Sequence, residues 1–217
     1  ANVKIDVEIA LAGAGVVDTV PAYGVLLRAC GFSETVNTGV SVEYSPVSDS
    51  HESATLYFHH NNNLHSITGA RGTVQLDFNV KEYPMAKFSF VGLYSPVSTS
   101  SLPTTDFSAF QQPLAIEQSN TPTFVVHDVS AVMEKFSIDV ANQVEFRSVL
   151  NGEASEIVDR KPAGALTIES PNVSTRDWFT SIKANETGTL QIIHGNTAGS
   201  IIEVNAPKVQ LLQPKYG

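Results

Sequence analysis

The sequence predicts a mainly β protein, an antiparallel β-sandwich or barrel flanked by two short α-helices. In most apolar segments hydrophobic residues recur at every second position, as in half-buried strands, and turn residues separate these segments at short intervals. Helical spacing of apolar residues is confined to two short stretches. The 217 residues are enough to bury a core without disulfides or metals.

The N-terminal segment shows the alternation most clearly. Lys4, Asp6 and Glu8 lie between the apolar residues, so a strand with one polar and one apolar face is expected. Gly13 and Gly15 end it. The apolar residues occupy odd positions: Val3, Ile5, Val7, Ile9 and Leu11.

A first short helix is predicted over residues 22–30. Asp18 and Thr19 are capping residues, Pro21 suits a first helical turn, and Gly31 supplies the C-terminal stop. Its apolar positions at helical spacing are Val25, Leu26 and Ala29.

Strands and two hairpins follow the helix. Asn61, Asn62 and Asn63 tolerate left-handed turn geometry and close the first hairpin, and a turn at 81–84 closes the second. The predicted strands are 40–44, 55–60, 64–68, 74–80 and 86–94.

Residues 95–122 form a long loop with almost no periodicity. A loop of this length inside a compact protein is normally functional or is ordered by a partner. It is also the only credible internal boundary in the sequence.

We therefore expect one structural unit over residues 1–217, with a weak two-part layout of 1–94 and 123–217 joined by that loop. Each part carries one short helix and an arginine, Arg71 or Arg160, shortly before a strand. This similarity is too weak to assert a tandem duplication.

The second part repeats the pattern of strands around one helix. A helix over 176–184 is capped by Ser174 or Thr175, and Asp177 favours its first turn. Pro207 and Pro214 flank the last strand and suit an edge position. The helix has an apolar face of Trp178, Phe179 and Ile182. The predicted strands are 123–127, 132–140, 143–146, 165–169, 190–194, 201–205 and 209–212.

The chain is acidic, with a net charge of −9 and a pI near 5.0. Its few basic residues are scattered, which disfavours specific recognition of nucleic acid. An acidic surface suits a channel that DNA must pass without sticking, because like charges repel. The alternative is that mild acidity only aids solubility.

Candidate metal and cofactor residues give no site. Gly13-Ala14-Gly15 lacks the third glycine of a dinucleotide fingerprint and is interpreted as a turn. Adjacent residues of a strand point to opposite faces, which separates His59 from His60. His60 and His65 could meet across the asparagine turn. The four nearby histidines, interpreted as exposed turn residues, are His51, His59, His60 and His65.

The sequence also shows no arrangement of residues that is typical of a catalytic site. Cys30 is the single cysteine, so no intrachain disulfide is possible, and we interpret it as a small core residue. His127, Asp128 and His194 suggest a triad, but no Gly-x-Ser-x-Gly elbow supplies the serine. No catalytic, cofactor-binding or metal-binding residue is predicted, and no cofactor, which favours a non-enzymatic structural role.

No apolar run is long enough to span a membrane, and no signal peptide is recognised at the N-terminus. We therefore expect no membrane partner.

Seven ordered blocks of the sequence resemble the tail tube protein, or major tail protein, of siphophages and related prophages. The resemblance runs through nearly the whole chain, in order and with similar spacing. The blocks are residues 21–32, 67–74, 88–94, 120–124, 142–147, 159–164 and 194–211.

The resemblance implies a β-sandwich or barrel whose copies join as hexameric rings and stack into a hollow tube of the virion tail. The lumen would hold the tape-measure protein and pass DNA as non-specific cargo during ejection. Other tail proteins would be further partners. The protein would be made in the bacterial host cytoplasm. The family has no catalytic residues to carry over. Loop 95–122 and the hairpin tip at 81–84 are the candidate inter-subunit contacts, and simple exposed loops are the alternative.

Two other classes remain as alternatives. A β-sandwich binding or adhesin module of a virion or cell surface would need exposed aromatic residues on one face, whereas most Phe and Tyr here alternate as core residues. A hydrolase is disfavoured because no nucleophile has a base beside it.

Overall fold

The computed structural model describes residues 1–215, which form fifteen strands and two short helices. The sheets are antiparallel and none of them closes into a barrel within this range, so the mainly β, sandwich-like fold is confirmed. The helices are α1 (Gly24–Ala29) and α2 (Trp178–Lys183). The strands are β1 (Asn2–Ala10), β2 (Phe32–Asn37), β3 (Ser41–Pro46), β4 (Ala54–His60), β5 (Asn63–Asn79), β6 (Met85–Tyr94), β7 (Ser98–Thr99), β8 (Thr123–Val126), β9 (Val129–Ser130), β10 (Met133–Asp139), β11 (Asn142–Val149), β12 (Gly152–Arg160), β13 (Ala163–Ile168), β14 (Thr187–His194) and β15 (Ile202–Gln210).

A large sheet in the order β1-β6-β5-β10-β13 organises the molecule, and β4 and β7 also pair with the first part of β5. Strands from both sides of loop 95–122 share this sheet, because β10 pairs with β5. A second sheet has the order β15-β14-β8-β9. The hairpins β2–β3 and β11–β12 are separate two-stranded sheets. The two-part layout of the chain stays a prediction.

The core lies on one face of the large sheet. The predicted alternation in β1 is confirmed, since its odd residues turn toward the core and its even residues are exposed. Phe78 and Phe90 are fully buried in β5 and β6. The second sheet packs on this face, because the rings of Phe124 in β8 and Phe136 in β10 lie 5.9 Å apart. Helix α1 adds Ala29 and Cys30 to the same cluster.

β5 corrects the prediction of two separate strands at 64–68 and 74–80. It is one strand of 17 residues, and its pairing with β6 shifts register between Thr68 and Arg71. Gly69 lies within this bulge with φ +58°. The bulge breaks the period-two pattern, which made a single strand look like two.

The prediction of two separate strands at 201–205 and 209–212 is also wrong, because both belong to the single strand β15. It runs without interruption through Pro207. Proline cannot donate to a β-ladder, but β15 is an edge strand of its sheet, where a missing donor is tolerated. The prediction of an edge position was right, and the prediction that Pro207 flanks the strand was wrong.

Helix α1 begins later than predicted. Its N-cap is Tyr23, with no side-chain capping bond, so neither Asp18 nor Thr19 caps it. Asp18 instead accepts a hydrogen bond of 2.6 Å from the backbone N–H of Gly39. The predicted stop at Gly31 is confirmed by its φ of +77°.

Helix α2 is capped by Asp177 and not by Ser174 or Thr175. The Asp177 carboxylate accepts from the backbone N–H of Thr180 at 3.0 Å. Each helix also exposes one residue of its predicted apolar face, Phe179 in α2 and Val25, 46 % exposed, in α1. No helix in residues 1–215 is long and apolar enough to cross a membrane.

Strands β2 and β12 were missed by the sequence analysis, and a polar cluster explains why their hairpins are stable. Asn142 is 7 % exposed, and its amide donates to the carbonyl oxygens of Cys30 at 2.7 Å and Gly72 at 2.9 Å. Its Oδ1 accepts from Nε of Arg160 at 2.7 Å. Carbonyls only accept and Nε only donates, so this amide orientation is the one chemically allowed.

Two arginines complete this cluster, which we call the polar clamp (Arg71, Asn142 and Arg160). Arg160 donates to the carbonyls of Gly31 at 3.0 Å and Val47 at 3.2 Å. Arg71 donates to the carbonyls of Ser155 at 2.5 Å and His51 at 2.8 Å. Burial lowers the pKa of the Arg160 guanidinium. Isolated two-stranded hairpins are marginal in water, and the clamp ties both of them to β5.

Replacing the clamp amide should therefore destabilise the whole fold. Asn142→Asp keeps the acceptor for Arg160 but turns a carboxylate oxygen toward the carbonyls of Cys30 and Gly72. We expect the free energy of unfolding to fall by about 3 kcal/mol, because two buried carbonyls lose their donor. Urea denaturation followed by circular dichroism measures it.

Asn205→Asp is the matched control, since it adds the same charge at an exposed position of the edge strand β15. Equal midpoints for the two variants would show that the clamp contributes nothing to stability.

Candidate functional site

The residues of the suspected triad do not come together. Nε2 of His127 is 2.9 Å from the carbonyl oxygen of Val209, and the Asp128 carboxylate accepts from the Thr189 hydroxyl at 3.0 Å. His194 is bonded to a different segment. Each side chain holds two pieces of backbone or loop together, which is a structural contact.

The clustered histidines separate into two environments. His60 and His65 are exposed, and their rings lie 6.3 and 6.0 Å from the ring of Phe58, so they approach each other across the turn through this aromatic residue. His51 and His59 are half-buried, contrary to the expectation of exposure, and Nε2 of His51 is 3.2 Å from the Val47 carbonyl oxygen. Residues 1–215 contain no group of three or more His, Cys, Asp or Glu arranged to hold a metal.

Cys30 and the glycine turn have the structural positions expected of them. Cys30 is fully buried, and burial raises the pKa of its thiol, so the thiolate is disfavoured. Gly15 donates its backbone N–H to the carbonyl of Gly199 at 2.9 Å, and a side chain at Gly13 would collide with the same carbonyl. The segment is a tight turn against another turn.

Loop 95–122 and the hairpin tip at 81–84 lie side by side. The backbone of Ile116 accepts from the N–H of Lys81 at 2.8 Å and donates to the carbonyl of Glu82 at 2.9 Å. Ile116 is itself buried in the core. The two segments predicted as contact regions therefore form one end of the molecule, which we call the turn end.

The same loop begins at the opposite end of β5. Its strand β7 pairs with Asn63 and Leu64, whereas Ile116 lies beside the far end of β5. Residues 101–112 between these anchors are all exposed, and Phe107 is 69 % exposed. The loop is a strap along the molecule with apolar side chains in solvent.

His194 anchors the second end of the strap. It is 2 % exposed, its Nε2 lies 3.1 Å from the Leu114 carbonyl oxygen, and its Nδ1 lies 2.9 Å from the Thr121 hydroxyl. A carbonyl only accepts, so Nε2 carries the hydrogen in the neutral ring. Burial lowers the pKa of His194, against the opposing effect of the Leu114 hydrogen bond.

The face of the large sheet opposite the core is lined along its middle by polar and small side chains, and we call it the polar face. At one end the β11–β12 hairpin reaches this face, because Arg71 donates to Ser155 and the N–H of Asn142 donates to Thr73. Strand register brings the polar side chains together, as Glu8 and Gln75 both lie opposite Lys87. An open groove of about 470 Å³ runs across it. Its central residues are Lys4, Asp6, Glu8, Thr73, Gln75, Asp77, Lys87, Ser89, Lys135, Ser137, Asp139, Ala163, Ala165 and Thr167.

The polar face carries four carboxylates and three lysines, and each lysine is paired. Lys87 lies 2.8 Å from the carboxylate of Asp77, Lys4 lies 3.4 Å from Asp6, and Lys135 lies 4.0 Å from a neighbouring glutamate. Hydrogen bonding from Ser89, followed by the charge of Lys4, lowers the pKa of Asp6. Each of these three lysines therefore has a carboxylate nearby, which weakens its attraction for a phosphate.

The large sheet has two open edges. Among residues 1–215 no strand pairs with the outer side of β1 or of β13. The backbone carbonyl of Ala1 accepts from Tyr94, and the N–H of Leu11 donates to Pro84, so the odd residues of β1 bond toward β6. The even residues, Asp6 among them, direct their N–H groups outward.

The alternation of β1 could be predicted from the sequence, but the assembly of polar residues from several strands into one polar face could not. The signal was present in Lys4, Asp6 and Glu8 and in the polar residues that alternate with the core of β5 and β6. Combining them requires the register of five strands, two of which lie beyond the long loop.

The chain matches a protein-family model described as phage tail tube protein, over residues 2–216. A search of curated proteins finds no match. The family match confirms the resemblance seen in the seven sequence blocks.

The buried imidazole of His194 should make stability depend on pH. Its folded pKa lies below the ordinary value of 6.5, so the unfolded chain takes up a proton first as the pH falls. We expect this residue's contribution to be complete above pH 6.5 and to be lost progressively as the pH falls below it.

Urea titrations of the native chain and of His194→Gln at pH 7.5 and pH 5.0 measure this loss. Glutamine keeps one donor and one acceptor but does not titrate. Equal losses in both chains would contradict the assignment to His194.

Proposed function

Because the chain belongs to the phage tail tube protein family, we propose that it is a tail tube subunit whose copies join into rings that stack around a channel. The family makes the chain a structural component of the virion tail. The single observation that carries the finer proposal is the large sheet, whose strand order ends in two open edges and whose face opposite the core is polar along its middle.

The open edges supply the contact around the ring. Four antiparallel steps separate β1 from β13, so both strands run in the same direction. Joining β1 of one copy to β13 of the next is therefore a parallel pairing of two different surfaces. Such a heterologous contact closes into a ring when its rotation closes, and the resemblance sets six copies as the expected number.

The edge strand β15 of the second sheet differs from these two. β15 contains Pro207, which removes a donor and blocks pairing, as edge strands that must stay free often do. β1 has no proline in nine residues, and in β13 the nearest proline, Pro162, precedes the strand. The large sheet is therefore the better candidate for extension between copies.

Closing the sheet into a ring decides which face lies inside. The apolar face is covered by α1 and by the second sheet, as the Phe124–Phe136 contact shows, so it must point outward. The polar face then lines the channel. Its paired lysines and excess carboxylate suit the passage of DNA as non-specific cargo and, before ejection, the housing of a tape-measure protein.

Blocking the β1 edge should prevent ring formation. Asp6→Pro removes an N–H that points away from β6, so the sheet keeps its backbone hydrogen bonds while the contact with the next copy loses one. Light scattering and negative-stain microscopy are expected to show a folded monomer for Asp6→Pro.

Asp6→Ala is the control, because it loses the same charge and keeps the N–H. It is expected to form rings and tubes like the native chain. Tubes from Asp6→Pro would rule out pairing through β1, and a native chain that stays monomeric and binds glycans would favour the adhesin alternative.

Neutralising carboxylates of the polar face should slow DNA ejection without stopping assembly. Asp6→Asn with Glu8→Gln leaves two carboxylates against three lysines, which reverses the sign of the face. Phosphates passing the channel would then be attracted to its wall. Ejection kinetics from virions that carry the variant subunit measure the effect.

Glu43→Gln with Asp49→Asn removes the same charge from exposed positions in and beside β3, outside the polar face. Ejection that is unchanged in the first variant, or slowed equally in both, would show that the polar face does not line the DNA path.

A further inference from the structure

The hairpin of β4 and β5 extends past the protein core. Ile67 is buried at its base, opposite Leu56. Further along the same face, Phe58 is 52 % exposed and lies beside the rings of His60 and His65. We call residues 54–68 the hairpin arm.

The hairpin arm is uncharged in an acidic protein. It contains three of the six histidines and no Asp, Glu, Lys or Arg, whereas the whole chain has a net charge of −9. Its outer part presents an aromatic ring flanked by imidazoles, whose N–H groups can donate hydrogen bonds.

The turn end has the complementary character. Tyr83 and Val132 are exposed there, together with Val80. Hydrogen bonds join its segments, since Val80 donates to the carbonyl of Glu134 and the N–H of Glu169 donates to that of Val132. Two lysines, Lys81 and Lys135, are outnumbered by four exposed glutamates: Glu82, Glu117, Glu134 and Glu169.

The hairpin arm and the turn end lie at opposite ends of β5. The arm includes the first residues of this strand, and the turn end follows its last residue. When β1 and β13 join copies around a ring, the ends of the strands form the two rims of that ring. Each rim then faces the opposite rim of the next ring.

We propose that the hairpin arm of one copy docks on the turn end of a second copy in the next ring, an inference that rests on the proposed tube function. The ring of Phe58 packs against Tyr83 and Val132, and the imidazoles of His60 and His65 donate to the glutamates. The contact joins two different surfaces, so it repeats along the axis without limit.

Disulfide trapping tests this contact directly. His60→Cys with Glu82→Cys places one thiol at each end of a 17-residue strand, roughly 50 Å apart, too far for a bond within one chain. The native Cys30 is buried. Mild oxidation of assembled tubes is expected to give a ladder of covalent oligomers on a denaturing gel.

Each single variant is the control and is expected to give no ladder. Tubes of the double variant that stay uncrosslinked would overturn the contact, as would dimers from His60→Cys alone, which indicate that two arms meet head to head.

Variants that change the charge or the side-chain size of the hairpin arm test the contact between rings separately from ring formation. His60→Glu with His65→Glu is expected to give rings that do not stack, and adding Glu82→Lys with Glu134→Lys is expected to restore stacking. The Phe58→Ala variant should also form rings that do not stack. The Tyr57→Ala variant, changed on the other face of the arm, should form tubes.

The outcomes distinguish the two proposals. Normal tubes from the double glutamate variant would sink the axial contact and leave the ring proposal standing. A native chain that forms neither rings nor tubes would remove both.

Discussion

The polar clamp is the interaction on which the rest of the structure depends. The hairpins β2–β3 and β11–β12 have two strands each and could not persist alone. Asn142 satisfies carbonyls of Cys30 and Gly72, which are far apart in sequence, while Arg160 and Arg71 satisfy carbonyls of the segment between α1 and β4. Since these donors bind backbone carbonyls or, for Nε of Arg160, the Asn142 side chain, the clamp fixes where these segments lie.

That placement gives the large sheet two unlike faces. One face is covered by α1 and the second sheet, and the middle of the other face carries polar and small side chains. In residues 1–215 the outer sides of β1 and β13 have no paired strand. In the proposed tube, the sheet edges would direct association around the axis and the strand ends would direct it along the axis.

Much of the fold could be predicted from local sequence patterns. The wrong predictions concern features that depend on contacts between residues distant in sequence. The alternation of β1, the hairpin into β6 and the stop at Gly31 were predicted correctly, because neighbouring residues carry those signals. β5 was split because its bulge breaks the period, and β12 was missed because its stability comes from contacts with β5 and β6. In the sequence, Arg71 and Arg160 stand out only because each lies shortly before a predicted strand, and their role in the clamp could not be predicted. Their most distant partners, Ser155 and Gly31, are 84 and 129 residues away, a separation that no local pattern spans.

A reconstruction of the assembled tube by cryo-electron microscopy, at a resolution that separates strands, tests the central claim most directly. We expect a continuous sheet around the lumen, in which β1 of each copy pairs in parallel with β13 of the next. Asp6, Gln75 and Lys87 should face the channel. A lumen lined by the second sheet, or rings whose β1 edges remain unpaired, would contradict it.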